Sequence, residues 1–323
     1  MEVKSSKDIL RLSLIYLTAK IVYFLFSYAS SFASKPSIKM PEGPEARTVS
    51  DKLRPFLLNK LIISAYKGER GRSLGFENLK FPSTVTGVRV YGKKIFIDIV
   101  SPTTNLPYII VVSLGMTGRL QYNRGNHSHI YFVIGEYHTS GSFRIMRPSF
   151  TLFFDDYRYM GSVDFVPTSN IGIYLGDIGP DLLAASLSEN TWIPSSTWIS
   201  IFTQKKIQTW TICKALLDQR LVAGVGNYLK AEVLYYSGIL PERVINTITP
   251  HEWETLRVTS HKIILLSYSY GGFTLKDFIS PDGQCGEYPA AVYGKKQDPY
   301  GNLVVSGKTS DRRTSYWVPS IQR

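Results

Sequence analysis

The residues with the clearest chemical potential lie in Met40-Pro41-Glu42-Gly43-Pro44-Glu45. A Met-Pro start is normally trimmed, and a free N-terminal proline is a secondary amine with a pKa near ~8. A useful fraction is then neutral and nucleophilic at neutral pH. Attack on a sugar aldehyde carbon gives a cationic iminium directly, the Schiff-base form of covalent catalysis. In this chain, however, 39 residues precede Met40. While Pro41 is bonded to Met40 its nitrogen is an amide, with the lone pair delocalised into the carbonyl. Three readings stay open. Translation begins at Met40, or the extension is removed, or the chain cannot perform this chemistry.

Other reactive side chains offer less. Cys213 and Cys285 are the only cysteines and have no C-x-x-C spacing, so neither a disulfide framework nor a cysteine zinc site is expected. Such usage suits a reducing compartment. His127-Ser128-His129 lacks an acidic or cysteine partner at metal-ligand spacing and reads as a surface or basic turn. Asp155 and Asp156 read as a polar turn, and Cys213 as a buried helix residue.

The chain has 323 residues, enough for about two domains and a sizeable core. Its net charge is +12, of which the first 39 residues supply +4. The remaining +8 favours a polyanionic partner, most simply nucleic acid. Residues 9–33 are rich in Leu, Ile, Tyr and Phe behind a basic start, in the manner of a signal or anchor segment. Arg11 and Lys20 interrupt that run, which weakens the case for a spanning helix.

The elements that must position these groups follow from pattern. Residues 44–57 read as a helix, with Pro44 in its first turn and Val49, Leu53, Phe56 and Leu57 at helical spacing. Pro55 is expected to kink or end it. From 61 to 166 the pattern changes to short β-rich runs at 84–90, 94–100, 108–113, 129–134, 149–154 and 162–166. Turn residues separate them, which suggests an antiparallel sandwich. Residues 170–180 read as a linker, 186–270 as helical and 271–289 as a Gly-rich loop region. Residues 290–321 read as two strands around Asp298-Pro299-Tyr300-Gly301-Asn302.

Eight segments, in order, resemble one family, the Fpg/Nei DNA glycosylases (formamidopyrimidine-DNA glycosylase and endonuclease VIII). They are Pro41-Glu42-Gly43-Pro44-Glu45, Tyr91-Gly92-Lys93, Ser113-Leu114-Gly115-Met116-Thr117-Gly118, Leu217-Asp218-Gln219, Gly224-Val225-Gly226-Asn227-Tyr228-Leu229, Thr274-Leu275-Lys276-Asp277-Phe278, Val292-Tyr293-Gly294-Lys295 and Arg313-Thr314-Ser315-Tyr316. The resemblance spans 41–322. The form of Gly226 to Tyr235 looks closer to the Nei-like branch, because Leu229 stands where bacterial Fpg usually has Tyr.

The resemblance implies an α+β fold. Residues 1–39 are an extension and 40–170 a catalytic domain with an N-terminal helix and an antiparallel β-sandwich. A hinge at 171–185 leads to a helical domain at 186–289 with a helix–two-turn–helix motif, and 290–323 form a β-hairpin finger. It also implies a bifunctional DNA glycosylase/AP lyase of base excision repair. Pro41 would attack C1′ of the damaged nucleotide, and β- and then δ-elimination would cut the strand. Glu42 would be the acid/base partner. The dipole of its own helix would favour a carboxylate there in any case. Glu45, on the same helix face, would support the site. Lys93 would hold the phosphate beside the lesion. Lys94 is the rival by position, and strand alternation puts the two on opposite faces.

Further carry-overs concern DNA. Gly226 would let backbone N–H groups reach phosphate, and Asn227 would hydrogen-bond the same phosphates. Arg313 would grip phosphate with its planar fork, Arg312 being the alternative. Base flipping leaves a gap in the stack. Met116 would wedge into it and Arg158, in Asp156-Tyr157-Arg158-Tyr159-Met160-Gly161, would pair with the orphaned base. Met160 stands where the family usually has Phe.

The finger departs from the family. Tyr300, Leu303, Val318 and Ile321 occupy the four places of its zinc cysteines. This implies a zincless finger, with these residues and Trp317 stabilising it by burial, at ~1.5–3 kcal/mol per large side chain. No metal or small-molecule cofactor is therefore expected. The expected partner is damaged DNA, duplex or single-stranded, bound by a monomer inside the cell, in nucleus or cytoplasm. A membrane is involved only if the extension is an anchor. The short interval 279–291, where Fpg has a mobile loop over the flipped purine, favours oxidised pyrimidines or hydantoins over 8-oxoguanine. The alternative is a catalytically silent protein that binds damaged DNA, if the extension is retained.

Overall fold

The computed structural model describes residues 41–101, 105–140, 143–273 and 279–323. The extension, Met40 and Thr274-Leu275-Lys276-Asp277-Phe278 lie outside the described residues.

Helix α1 runs over Gly43–Leu57 and buries Ala46, Val49, Leu53 and Leu57 along one stripe. It continues through Pro55 to Leu57, and the Leu58 N–H donates to the Arg54 carbonyl at 2.9 Å. So near the C-terminus, the proline removes a single bond and the helix does not kink early.

Eight strands follow: β1 (Leu61–Lys67), β2 (Ser83–Tyr91), β3 (Lys94–Val100), β4 (Pro107–Ser113), β5 (Arg119–Gln121), β6 (Ser128–Ser140), β7 (Phe143–Asp155) and β8 (Ser162–Pro167). They form one sheet in the order β5-β7-β6-β1-β2-β3-β4-β8, and every pairing is antiparallel. The sheet folds over on itself. Phe132 on β6 meets Phe165 on β8 with ring centroids 6.1 Å apart, although four strands lie between them. The expected sandwich is therefore present, and α1 packs on β2 and β3.

Six of the eight strands match expected runs, but β6 and β7 are about twice as long as read. Gly135 and Pro148, which look like breakers, face each other at a register shift. A Cβ on Gly135 would lie 2.2 Å from the Arg147 carbonyl, so the bulge needs glycine there. Strand β5 has only three residues, too few to show alternation.

The expected linker is partly structured. Helix α2 (Gly172–Leu175) and Ile171 pack Tyr174 and Leu175 on Phe96, Ile109, Val111 and Val166, the second apolar face of the sheet. The helical part comprises α3 (Leu182–Ser186), α4 (Ser195–Phe202), α5 (Ile212–Leu217), α6 (Asn227–Tyr236) and α7 (Pro250–Ser269). Cys213 is buried on α5, as expected. Helix α7 starts with a reciprocal cap in which the Thr249 N–H donates to Glu252 at 2.8 Å.

The finger differs from expectation in two ways. Its strands, β9 (Val305–Lys308) and β10 (Thr314–Trp317), pair around 309–313 and not around 298–302. Residues 298–302 do form a turn, but the two strands lie beyond it. Second, the four residues at the cysteine places are not a buried apolar plug. Val318 is buried, whereas Tyr300, Leu303 and Ile321 are 82%, 69% and 38% exposed.

Polar hubs close these loops instead. Asp298 accepts the Tyr300 and Asn302 N–H groups at 2.9 and 2.8 Å, the Asn302 amide at 2.8 Å and the Tyr235 hydroxyl at 2.9 Å. Gln322 accepts the Val318 N–H at 2.8 Å and donates to the Ile239 carbonyl at 2.8 Å. Lys230 of α6 is fully buried beneath the hairpin, pairs with Asp311 and donates to Ser315 at 2.8 Å.

Asp298→Ala strips a charged acceptor from several donors and is expected to cost about 1.5–3 kcal/mol. Tyr300→Ala and Leu303→Ala, at exposed positions, are expected to stay within about 0.5 kcal/mol. Thermal melting of the three variants checks this. A larger loss for Tyr300→Ala than for Asp298→Ala contradicts the polar-hub account.

Candidate active site

The site is assembled where three glycine-bearing segments meet. The Gly43 N–H donates to the Gly224 carbonyl at 2.9 Å, which docks the start of α1 onto the hairpin between α5 and α6. A Cβ on Gly43 would lie 3.1 Å from Gly224, and one on Gly92 would lie 3.0 Å from the Ala223 methyl. Gly224 has φ +98°, which only glycine adopts freely. The hairpin is tied internally by Gln219. Its side chain accepts the Gly224 N–H at 3.0 Å and donates to the Val225 carbonyl at 2.8 Å.

Glu42 is the centre of the assembly. It precedes α1 in sequence, yet its carboxylate caps α6. Oε2 accepts the Gly226 N–H at 2.7 Å and the Leu229 N–H at 3.3 Å, and Oε1 accepts the Tyr228 N–H at 2.9 Å. This arrangement corrects one expectation. The Gly226 N–H does not face phosphate, because the chain's own carboxylate fills the anion site at this helix start.

Glu45 supports Glu42 from the next turn of α1. Its Oε2 accepts the Glu42 N–H at 2.8 Å. Its Oε1 accepts the Tyr228 hydroxyl at 2.9 Å and the Phe273 N–H at 2.7 Å. Both carboxyls are buried, and burial raises both above the ordinary range. Glu42 is pushed up to about 8, with Glu45 adding to the rise while Lys93 and the amide donors of α6 oppose it.

Lys93 follows the turn at Gly92. Burial lowers its ammonium below the usual range, and Arg313 adds to this, while Glu42 and Glu45 pull it back up. Lys94 points elsewhere. It donates to Ser113 at 3.0 Å and lies 5.3 Å from the Tyr174 ring. Lys93 lies in the turn between β2 and β3 and not on a strand, so the turn, and not the expected strand alternation, separates the two lysines.

Residues missed by sequence reasoning hold the turn in place. Asp181 accepts the Gly92 N–H at 2.8 Å while capping α3 through Ala184 at 3.0 Å, and Tyr91 donates to the Gly179 carbonyl at 3.0 Å. Asp181 before Leu182-Leu183 is a readable helix cap, but its second bond to a distant strand is not readable. Tyr228 was visible as part of the hairpin motif, though its reach to Glu45 was not.

The expected DNA-contact residues fall into two groups. Asn227 and Arg313 lie together. The Asn227 amide donates to the Thr314 carbonyl at 2.9 Å and to the Tyr293 hydroxyl at 3.4 Å, so its N–H groups already have partners. Its Oδ1 is buried without one. Arg313 is exposed on the hairpin turn, beside Arg312 at φ +63°. Met116, Arg158 and Met160 form the second group, on two adjoining loops. Gly115 and Gly161 are so close that a Cβ on the first would lie 2.6 Å from the nitrogen of the second. Arg158 and Met160 are exposed and Met116 is half-buried.

Among the described residues no cluster of three His, Cys, Asp or Glu side chains is placed to hold a metal. The finger positions do not fit zinc either. Leu303, Val318 and Ile321 carry no donor atom, and Tyr300 offers only an exposed phenol. Among the described residues no helix is long and apolar enough to cross a membrane.

Comparison with known proteins agrees with this geometry. Residues 40–163, 174–278 and 284–323 match, in turn, the N-terminal, H2TH and C-terminal domains of formamidopyrimidine-DNA glycosylase. The formamidopyrimidine-DNA glycosylase of Serratia proteamaculans is 29% identical over 300 residues, covering 88% of this chain and all of the relative. That of Carboxydothermus hydrogenoformans is 26% identical over 301 residues, with the same coverage. The MutM (Fpg) crystal structure from Thermus thermophilus superposes with a TM-score of 0.73 at 25% identity, over 87% of this chain and 98% of that one. Lactococcus lactis Fpg, in complex with DNA containing an oxidised pyrimidine, gives 0.71 at 24% identity, over 88% and 100%. The chain belongs to the Fpg/Nei family. It is a DNA glycosylase of base excision repair, in a family that joins base removal to AP lyase activity.

Gly226→Ala tests the Glu42 cap. The new methyl would lie 2.2–2.6 Å from the Glu42 side chain and displace it. Cleavage at abasic sites is expected to fall about 10²-fold, the cost of an ångström-scale misplacement. Wild-type rates from a folded Gly226→Ala protein would show that the cap is not needed.

Proposed function

We propose that this chain removes oxidised bases from DNA and cuts the strand by β,δ-elimination through a Schiff base on Pro41. The observation that carries this reading is the placement of Glu42. It adjoins Pro41, is buried against an α6 start that belongs to the DNA-binding hairpin, and faces Lys93. In this scheme the Pro41 nitrogen pair forms the bond to C1′ and the glycosidic bond breaks towards the base. Glu42 protonates the sugar ring oxygen as the ring opens to the iminium. Glu42, ionised by that transfer, takes the C2′ proton as the C3′–O bond breaks and expels the 3′ phosphate. Loss of the C4′ proton to water then breaks the C5′–O bond and expels the 5′ phosphate, and water hydrolyses the remaining iminium to free Pro41. Lys93 holds the flanking phosphate, and Glu45 keeps Glu42 aligned. Asn227 and Arg313 bind backbone phosphates, with the Asn227 amide exchanging Thr314 for DNA. Met116, Arg158 and Met160 fill the vacated stack.

The enzyme needs no metal in its finger, whose loops Asp298 and Gln322 close, and it acts as a monomer. Leu229, within the Gly226 to Tyr235 segment, favours the Nei-like branch. The short interval 279–291 favours oxidised pyrimidines and hydantoins over 8-oxoguanine. A second reading rests on Pro41 itself. With residues 1–39 attached its nitrogen is an amide, and the chain then binds damaged DNA without cutting it.

Two outcomes are expected. In matched duplexes, thymine glycol is excised faster than 8-oxoguanine; the reverse order contradicts the assigned preference. The Glu42 carboxyl is raised to about 8, so it is protonated below that pH and ionised above it. A step that draws its proton and also needs a neutral Pro41 amine, with its pKa near ~8, therefore rises to about pH 8 and breaks into a decline above it, by up to about tenfold per unit, the decline being the part that Glu42 sets. Single-turnover excision should show this break in the wild type and lack it in Glu42→Gln. A wild-type profile that stays flat well above the break removes Glu42 from the acid role.

A further inference from the structure

The turn at 113–118 and the loop at 156–161 are organised around one buried carboxylate. Asp156 follows β7 and is 0% exposed. Its Oδ1 accepts the Thr117 hydroxyl and the Arg158 N–H, the latter at 3.1 Å. Its Oδ2 accepts the Met160 and Gly161 N–H groups at 2.8 and 2.7 Å. The backbone adds two bonds, from the Asp156 N–H to the His127 carbonyl and from the Tyr159 N–H to the Asp156 carbonyl, both at 3.2 Å. Tyr159 is held at φ +52°, a left-handed conformation that a non-glycine residue rarely takes. Its ring lies 5.1 Å from His129, with the Arg70 guanidinium 5.8 Å away.

The donors to Asp156 come from both loops. Thr117 is next to Met116, while the N–H groups belong to Arg158, Met160 and Gly161. The carboxylate thus ties the backbone under the exposed Arg158 and Met160 and, through the Thr117 hydroxyl, the residue next to the half-buried Met116. A gap left by a flipped nucleotide has fixed dimensions, and side chains that fill it must keep a fixed spacing. Ladder pairs hold the two loops at their ends, Ser113 to Ser162 and Arg119 to Asp155, but the residues between those ends carry no ladder, and there the Thr117–Asp156 bond spans from one loop to the other. A hydroxyl on a buried carboxylate is a strong, directional tie across them.

We propose that Asp156 is a positioning residue. Through Thr117 it fixes Met116 relative to Arg158, and this spacing sets how strongly the protein distinguishes the base opposite a vacated position. The proposal rests on the reading of Met116 and Arg158 as gap-filling side chains.

The test is equilibrium binding of the full chain to duplexes that carry a tetrahydrofuran abasic analogue opposite each of the four bases, beside an undamaged duplex. Binding needs no free Pro41, so it remains informative if the chain does not cut. Thr117→Val keeps shape, leaves the three amide bonds to Asp156 and removes only the tie between loops. Asp156→Asn is the second variant, and thermal melting accompanies both. For Thr117→Val we expect an almost unchanged melting temperature and unchanged binding to undamaged duplex. Affinity for the abasic duplexes should fall about tenfold, and the spread among opposite bases should narrow by about threefold or more. An unchanged spread in Thr117→Val and Asp156→Asn overturns the proposal alone, as does an equal loss on damaged and undamaged duplexes. A wild type that binds abasic and undamaged duplex equally overturns the reading beneath it as well.

Discussion

The Glu42 carboxylate sits between the starts of two helices, and the rest of the site is arranged around it. Burying a carboxylate away from water is costly unless donors meet it. Here the Gly226, Tyr228 and Leu229 amides meet it, and the field of α6 favours negative charge at that end. The bond joins the first turn of α1 to the hairpin that opens α6, so the residue beside Pro41 and the element that starts at Asn227 move together. Close approach then becomes obligatory. Gly43, Gly92 and Gly224 lie where backbones nearly touch, and a methyl on Gly226 would occupy the place of the Glu42 side chain.

The same constraint explains the electrostatics. A second carboxyl, Glu45, and an ammonium, Lys93, share the buried volume, and burial drives all three towards their neutral forms. Glu42, pushed up to about 8, then holds an exchangeable proton near neutral pH, which the proposed acid/base role requires. Asp181 extends the constraint to the sheet by fixing the turn that carries Lys93. Lys230 extends it to the finger, since α6 carries both the capped start beside Glu42 and the buried ammonium beneath the hairpin.

Much of this was legible in the sequence because it depends on local pattern. Helix α1, the central strands and the hairpin motif declare themselves through periodicity, glycines and short motifs. The bonds between distant segments were not legible. Nothing local shows that Glu42 caps α6 and not only its own helix, or that Gly226 is thereby taken from phosphate. The long strands β6 and β7 were cut short because Gly135 and Pro148 read as breakers until they are seen to share one bulge. In the finger, apolar residues at the cysteine places suggested a buried plug. The structure instead closes the loops with Asp298 and Gln322, whose partners lie on α6 and in the segment that follows it.

The central claim is that the nucleophile is the Pro41 nitrogen, held beside Glu42. The most direct test is borohydride trapping of the full 323-residue chain on abasic-site DNA, with the crosslinked atom mapped by mass spectrometry. The predicted result is a crosslink on the nitrogen of a Pro41 that has become the N-terminus. A crosslink on Lys93 with Pro41 still bonded to Met40, or no crosslink from a chain that begins at Pro41, would contradict it.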